Sequence, residues 1–502
     1  MPDTSTIKKY LEVGYFLKTE EHKVLFNSYE FILMFLPITL GIYFLACRVK
    51  KGRLGIVVLA VASILFVAFS NIPSAVILLL SIVGNYWLSH QISRKQGKAK
   101  KVWLIFGLIV NIGILAYFKY ANFLIDGVNG FFGSDIPLIS VFLPVGLSFY
   151  TFQQVAYLTD TYKGEAVSCS FVEYLLYVAF FPKLVQGPIV QQKELIPQFS
   201  DLCRNVNWDN VAKGLFVFAI GLAKKVLVAD NFGKVVDYGF THISSLNSFE
   251  TILSILGYTF QIYFDFSGYC DMAVGIGLMF NIELPQNFNS PYRALSISDF
   301  WKRWHITLTS FLTKYIYIPL GGSRRGKART YLNILIVFLV SGLWHGAGYT
   351  FILWGLMHGI AMVLERITRI RYEKLPKVIR WVLTFAFINI TWVFFRAGSV
   401  TDAIAMLTQV FTGGWSFSIN AELTEMLLQP TLISLSNRIF GLPVIAVLSC
   451  VAALLSVLLL KNSTERIKSF KPNAGMWFQT YLLLAMSILS VSGVSTFLYS
   501  NF

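Results

Sequence analysis

The 502-residue chain is 55% hydrophobic and 16% aromatic but only 14% charged, with a mean hydropathy of +0.62. Soluble domains carry about 25% charged residues, so a soluble globular protein is excluded, and repeated apolar runs of roughly 17–25 residues indicate a polytopic membrane protein. The formal charge of +16, from 42 Lys+Arg against 26 Asp+Glu, lies in short clusters between those runs, which points to membrane lipids and not to nucleic acid.

Residues 1–23 are charged and lack an apolar core, so they read as an N-terminal extension and not a cleavable signal peptide. Spans are expected at 31–47, 54–70 and 75–88, the last two joined by the turn Asn71-Ile72-Pro73. Two basic clusters (Arg48, Lys50, Lys51, Arg53 and Arg94, Lys95, Lys98, Lys100, Lys101) are separated by two spans and therefore share a side, the cytoplasmic one. Span 102–125 then returns outward to a glycine-rich loop (Gly127, Gly130, Gly133), and 139–158 comes back. Its Pro144, Gly146, Gln153 and Gln154 favour burial in a bundle, because freed backbone groups at membrane depth need protein partners.

The apolar run 174–185 is too short to span and reads as re-entrant or interfacial, followed by a polar segment, 191–210, on the cytoplasmic surface. Span 211–228 carries Lys224 and Lys225 near its end, where long side chains snorkel. After the central stretch 258–359 come a basic connector, a span at 381–395, a short run at 403–411, and two closing spans at 442–460 and 476–498 around Lys461, Arg466, Lys468 and Lys471. The expected architecture is all-α, with about 10 to 12 spans plus partial helices in one membrane-embedded domain over 24–502. No internal repeat of the transporter kind is visible. Five scattered cysteines without a C-x-x-C pair indicate neither a disulfide framework nor a thiolate metal site.

The central stretch admits polar residues that hydrocarbon disfavours. Residues 295–313 read as one interfacial helix entered through Ser296-Ile297-Ser298-Asp299. Its tryptophans would act as anchors, with His305 on an apolar face and Arg303, Thr307, Ser310 and Lys314 on a basic one. That basic face suits either lipid phosphates or a phosphorylated cofactor. His345 lies between Trp344 and Gly346 in a run, 334–364, without Asp, Glu, Lys or Arg, with Gly342, Gly346, Gly348 and Gly355 allowing close backbone approach. A neutral imidazole there is either a general base or a structural residue bonded to a helix carbonyl, and His358 reads as structural. Asp265, inside the apolar run 252–280, must be protonated, paired or beside water. It either bonds the Trp and His side chains of the central helices or takes part in the chemistry. There is no G-x-S-x-G elbow, no H-E-x-x-H helix and no glycine-rich phosphate loop, and the six histidines form no i, i+4 pair, so no metal is expected.

Five ordered blocks then carry a resemblance: Tyr263-Phe264-Asp265-Phe266-Ser267-Gly268-Tyr269, Asn287-Phe288-Asn289-Ser290-Pro291-Tyr292, Phe300-Trp301-Lys302-Arg303-Trp304-His305, Tyr317-Ile318-Pro319-Leu320-Gly321-Gly322 and Gly342-Leu343-Trp344-His345-Gly346. They resemble the membrane-bound O-acyltransferases, in the branch of the alginate O-acetyltransferase membrane subunit, and the likeness runs from about residue 24 to the C-terminal Phe497-Leu498-Tyr499. The resemblance implies a ring of tilted helices around a thin centre with a cytoplasmic funnel, in the bacterial inner membrane. It implies His345 as the catalytic histidine and His305 as a second one, with Asp265, Trp304 and Trp344 at the substrate site and Lys302 and Arg303 on the donor's phosphates.

The implied donor is acetyl-CoA, a substrate and not a resident cofactor. The implied partner is a periplasmic or extracellular acetyltransferase that acylates an alginate-type exopolysaccharide. Donor and acceptor lie on opposite sides of roughly 30 Å of hydrocarbon, which gives a histidine reached by a tunnel its reason. Two rival expectations are D-alanyl transfer to teichoic acid, which the extra C-terminal spans disfavour, and a proton-coupled transporter or flippase relaying protons through Asp265 and the histidines.

Overall fold

The computed structural model describes residues 25–49, 53–201, 206–420, 442–491 and 496–498; the 1–23 extension lies outside them. Among the described residues all regular structure is helical. The first four helices, α1 (Glu30–Val49), α2 (Arg53–Ser70), α3 (Ile72–Arg94) and α4 (Gly97–Phe132), are long and apolar enough to cross a bilayer. The expected turn before α3 is its cap: Asn71 Oδ1 accepts from Ser74 N at 2.9 Å, with Pro73 in the first turn. The glycine-rich loop expected after residue 125 does not form there. Gly127 and Gly130 continue α4, and only Gly133, at φ +63°, ends it. A glycine costs a helix roughly 0.5–1 kcal/mol, too little to interrupt a long apolar run.

The next helix, α5 (Leu147–Lys163), starts later than the expected 139 because Gly146 stands at φ +73° ahead of it. A Cβ on Gly146 would lie 2.8 Å from the carbonyl oxygen of Leu184, so this turn closes directly onto the re-entrant piece. That piece consists of α6 (Phe171–Ala179), opened by a Ser170/Glu173 capping box, and α7 (Phe181–Leu184), with the break at Phe180 ahead of Pro182. Phe180, Phe181, Lys183 and Leu184 are fully buried.

Helix α8 (Trp208–Ala223) runs through a π-helical turn, Lys224–Ala229, into α9 (Asp230–Thr241). The long α10 (Ser248–Met279), opened by an Asn247/Glu250 capping box, lies against α8. Their backbones touch at glycines: a Cβ on Gly214 would come 2.5 Å from Gly275 O, and one on Gly221 2.5 Å from Gly268 O. The π-turn lysines do not snorkel. Lys225 is 2% exposed, with its ammonium 2.8 Å from both Asp265 and Asp230, and Lys224 is 2.6 Å from Asp271. Carboxylates at the same depth hold these cations closer than any headgroup could, since a buried charge is tolerated only when paired.

The single interfacial helix expected at 295–313 is two short ones, α11 (Ile297–Trp301) and α12 (Ile306–Leu312), with a left-handed residue between them. The Ser296 cap is present, its Oγ accepting from Asp299 N at 3.1 Å. Trp301 and Trp304 are 5% and 1% exposed and pack inward, so neither anchors the chain at an interface.

Three further spanning helices follow, α13 (Lys327–His345), α14 (Tyr349–Tyr372) and α15 (Lys377–Arg396), for seven among the described residues. The shorter apolar helices α16 (Val400–Thr412), α17 (Leu442–Leu459) and α19 (Ala474–Leu489) complete an all-α polytopic protein, with α18 (Ser463–Lys468) between the last two. Helix α10 is the central post: Tyr269, Met272 and Ile276 join a core with α1–α3, α6 and α8, while Tyr258, Phe260 and Phe266 join another with α11 and α13–α15. Cys47 is disulfide-bonded, against expectation, since spacing along the chain says nothing about proximity in the fold.

Candidate active site

His305 is positioned from its backbone outward. It stands at φ +45° between α11 and α12, a conformation a β-carbon makes costly by roughly 1–2 kcal/mol. Two backbone bonds hold it there, Asn289 N to Arg303 O at 2.9 Å and Ile306 N to Asn287 O at 3.0 Å, strapping the second motif block to the third. The side chain of Asn287 then organises the ring. Its Oδ1 accepts from Thr307 N at 3.2 Å and Thr307 Oγ1 at 3.0 Å, and it lies 3.1 Å from His305 Nδ1. A carboxamide oxygen only accepts, so Nδ1 carries the proton and Nε2 carries the lone pair. Nε2 has no hydrogen-bond partner among the described residues. Thr307 Oγ1 also accepts from Ile189 N at 3.0 Å, tying the site to the turn after α7.

His345 ends α13. Its position is set by the crossing of α13 and α14, where a Cβ on Gly342 would fall 2.3 Å from Phe351 O and one on Gly355 2.4 Å from Phe338 O. The last carbonyls of a helix need partners, and α4 supplies them. Tyr120 Oη donates to Leu343 O, and Lys119 Nζ donates to Trp344 O and, at 3.3 Å, to His345 O. A lysine ammonium at that end also complements the helix dipole. Sequence reading missed Lys119; its signal was a lone cation inside the apolar run 102–125.

The two histidines converge. Their ring centroids are 6.4 Å apart, and His345 is boxed by Trp344, Trp354 and Phe395 at 4.9, 5.0 and 5.2 Å. Phe266 of the first block packs edge-on to His305 at 4.9 Å. Trp344 stacks on Phe152 at 5.4 Å. His305 is fully buried and His345 is 2% exposed, so in this conformation a reactant reaches the pair only as the surrounding rings give way. In place of the open tunnel expected from the sequence there is an aromatic box around the imidazoles.

The remaining expected site residues fall elsewhere. Asp265 bonds Lys225 and, through Oδ2, Leu498 N at 3.0 Å, and neither the tryptophans nor the histidines. Trp304 packs against Phe288, Phe300 and Trp392 at 5.0–5.6 Å, one layer behind His305. The common basic face expected for Arg303, Thr307 and Lys314 does not exist. Arg303 bonds Asp299 at 2.7 Å, Thr307 bonds Asn287, and Lys314 reaches Asp160 at 3.1 Å. Lys302 is exposed. His358 accepts from Trp301 Nε1 at 3.2 Å and stacks on Phe338, which gives it a structural role.

A pair of imidazoles among aromatic rings, one with a fixed lone pair, suits proton transfer from a hydroxyl. Residues 137–399 match the MBOAT, membrane-bound O-acyltransferase, family. The chain is 42% identical to a peptidoglycan O-acetyltransferase of Helicobacter pylori, over 95% of this chain and 98% of that protein. It is 37% identical to a probable alginate O-acetylase of Pseudomonas aeruginosa, over 79% of this chain and 76% of that protein. Likeness to a teichoic acid D-alanyltransferase of Bacillus subtilis is lower, 25% over 47% of this chain and 62% of that protein.

Proposed function

The chain belongs to the membrane-bound O-acyltransferase family and is an O-acyltransferase, and on that premise we propose that it moves acetyl groups from cytoplasmic acetyl-CoA to an extracytoplasmic acceptor for O-acetylation of peptidoglycan. The observation that carries this reading is the meeting of His305 and His345 from separate motif blocks in one buried aromatic box. The acceptor oxygen attacks the thioester carbonyl carbon and its proton passes to His345; the C–S bond breaks, and the leaving thiolate takes the proton back as CoASH. Atoms and charge balance without a metal or a resident cofactor. His305 serves differently from the sequence expectation. With Nδ1–H committed to Asn287, its Nε2 accepts a hydrogen bond and does not donate one, so it orients the hydroxyl and does not polarise the carbonyl.

Peptidoglycan is preferred over alginate because the likeness to the peptidoglycan enzyme extends over nearly the whole of both chains. The protein sits in the bacterial inner membrane, and a periplasmic acetyltransferase partner takes the acetyl group onward to the glycan. Lys302, exposed and without a carboxylate partner among the described residues, is a better contact for the CoA phosphates than Arg303, which Asp299 already holds. The test is to incubate purified protein with labelled acetyl-CoA and peptidoglycan fragments, alginate or partner protein. His345→Ala should lower turnover by roughly 10²–10⁴ while thermal unfolding is unchanged. Wild-type turnover in that variant removes His345 from the mechanism, and label on alginate alone removes the peptidoglycan reading.

A further inference from the structure

A cavity of about 1610 Å³ lies between α8–α10 on one side and α17–α19 on the other. Neither His305 nor His345 lines it. Its wall on the histidine side is Tyr263, which packs on Phe288 at 6.0 Å and Trp304 at 6.3 Å, so a layer of rings separates it from the acyl-transfer site.

The charges around it sort into two groups. Lys225 is neutralised by Asp230 and Asp265, Lys224 by Asp271, and Arg396 by Asp237. Lys234, Lys461 and Arg466 also line the cavity and have no carboxylate partner among the described residues, which leaves it net positive. Lys461 and Arg466 sit together on the turn from α17 to α18, beside Asn462 and Ser463. That turn belongs to the basic loop that also carries Lys468 and Lys471, which places this mouth on the cytoplasmic side. Above it the wall contributed by α17 is apolar, with Ile445, Ala453 and Val457. A cationic mouth at headgroup level below an apolar slot between helices is the form of an anionic-lipid site.

We propose that this cavity binds an anionic phospholipid of the cytoplasmic leaflet, with its phosphate at Lys461 and Arg466 and an acyl chain between α10 and α17. The site is separate from acyl transfer, so occupancy is measured without any turnover. Full-length protein is placed in nanodiscs containing equal phosphatidylglycerol and phosphatidylcholine, extracted in mild detergent, and its bound lipid identified by native mass spectrometry. Wild type should retain phosphatidylglycerol preferentially, and Lys461→Ala/Arg466→Ala should lower that retention roughly thirtyfold. Ser449→Trp, which fills the exposed part of the slot and leaves both cations in place, should displace the lipid equally well.

Equal retention of the two lipids by wild type overturns the proposal, as does unchanged phosphatidylglycerol in both variants. A rise in KM for acetyl-CoA in the double variant with lipid retention intact also overturns it, by reassigning the cations to the donor. An unaltered unfolding temperature in both variants keeps a lost lipid from being read as a lost fold.

Discussion

Replacing Asn287 by alanine tests whether the tautomer of His305 is set by this side chain. The substitution removes the only printed acceptor for His305 Nδ1 and Thr307 N and one partner of the Thr307 hydroxyl. The hydroxyl can rotate to another acceptor, but the two N–H groups are buried and fixed, and each orphaned donor costs about 1–3 kcal/mol. The space vacated by a carboxamide is large enough to admit a water, which recovers part of that loss, so about 2–3 kcal/mol of destabilisation is expected. Activity should fall further than stability, because the ring is then free to place its proton on either nitrogen.

Thr307→Val is the control. It removes the hydroxyl and orphans Ile189 N, a comparable loss of about 1–3 kcal/mol, yet leaves Asn287 facing Nδ1. Unfolding followed by tryptophan fluorescence, together with acetyl transfer normalised to folded protein, separates the two effects. Equal specific activity in Asn287→Ala and Thr307→Val at matched folded fraction would refute the tautomer argument.

Other consequences follow from the same geometry. Lys225→Met leaves Asp265 charged in a buried site and should cost about 3–5 kcal/mol, whereas Lys225→Met/Asp265→Asn should recover much of it; equal denaturation midpoints for the single and double variants would contradict the buried pair. Lys119→Met removes the cation from the carbonyls that end α13 and should lower kcat by about tenfold with KM for acetyl-CoA unchanged, and Lys119→Arg should restore part of it. A change confined to KM would instead place Lys119 on the donor. Arg303→Ala should shift KM for acetyl-CoA by no more than about fivefold, since only a half-exposed ion pair with Asp299 is lost; a much larger rise would show that Arg303 leaves Asp299 for the CoA phosphates.

Much of this protein was legible from its residues in order. The apolar runs at 31–47, 54–70 and 75–88 sit within α1, α2 and α3, and the short run at 403–411 within α16, because burial of an apolar run at its own length is a local property. The caps at Asn71 and Ser296 were equally local. His345 stood out as an ionisable group in an uncharged run, and the motif blocks pointed to acyl transfer.

What periodicity could not supply was the break at His305. A helical pattern over 295–313 was read straight through it, because the left-handed turn is imposed by backbone bonds from 287–289, outside that window. Partnership was invisible for the same reason. Lys224 and Lys225 looked like snorkelling cations and Asp265 like a site residue, but the crossing of α8 and α10 pairs them with one another's carboxylates. Composition along the chain determined that this protein lives in the bilayer and carries imidazoles within it. Only the packing of α4, α10, α12 and α13 decided which two imidazoles meet and which nitrogen holds a proton, since contact and hydrogen-bond direction depend on neighbours far away in sequence.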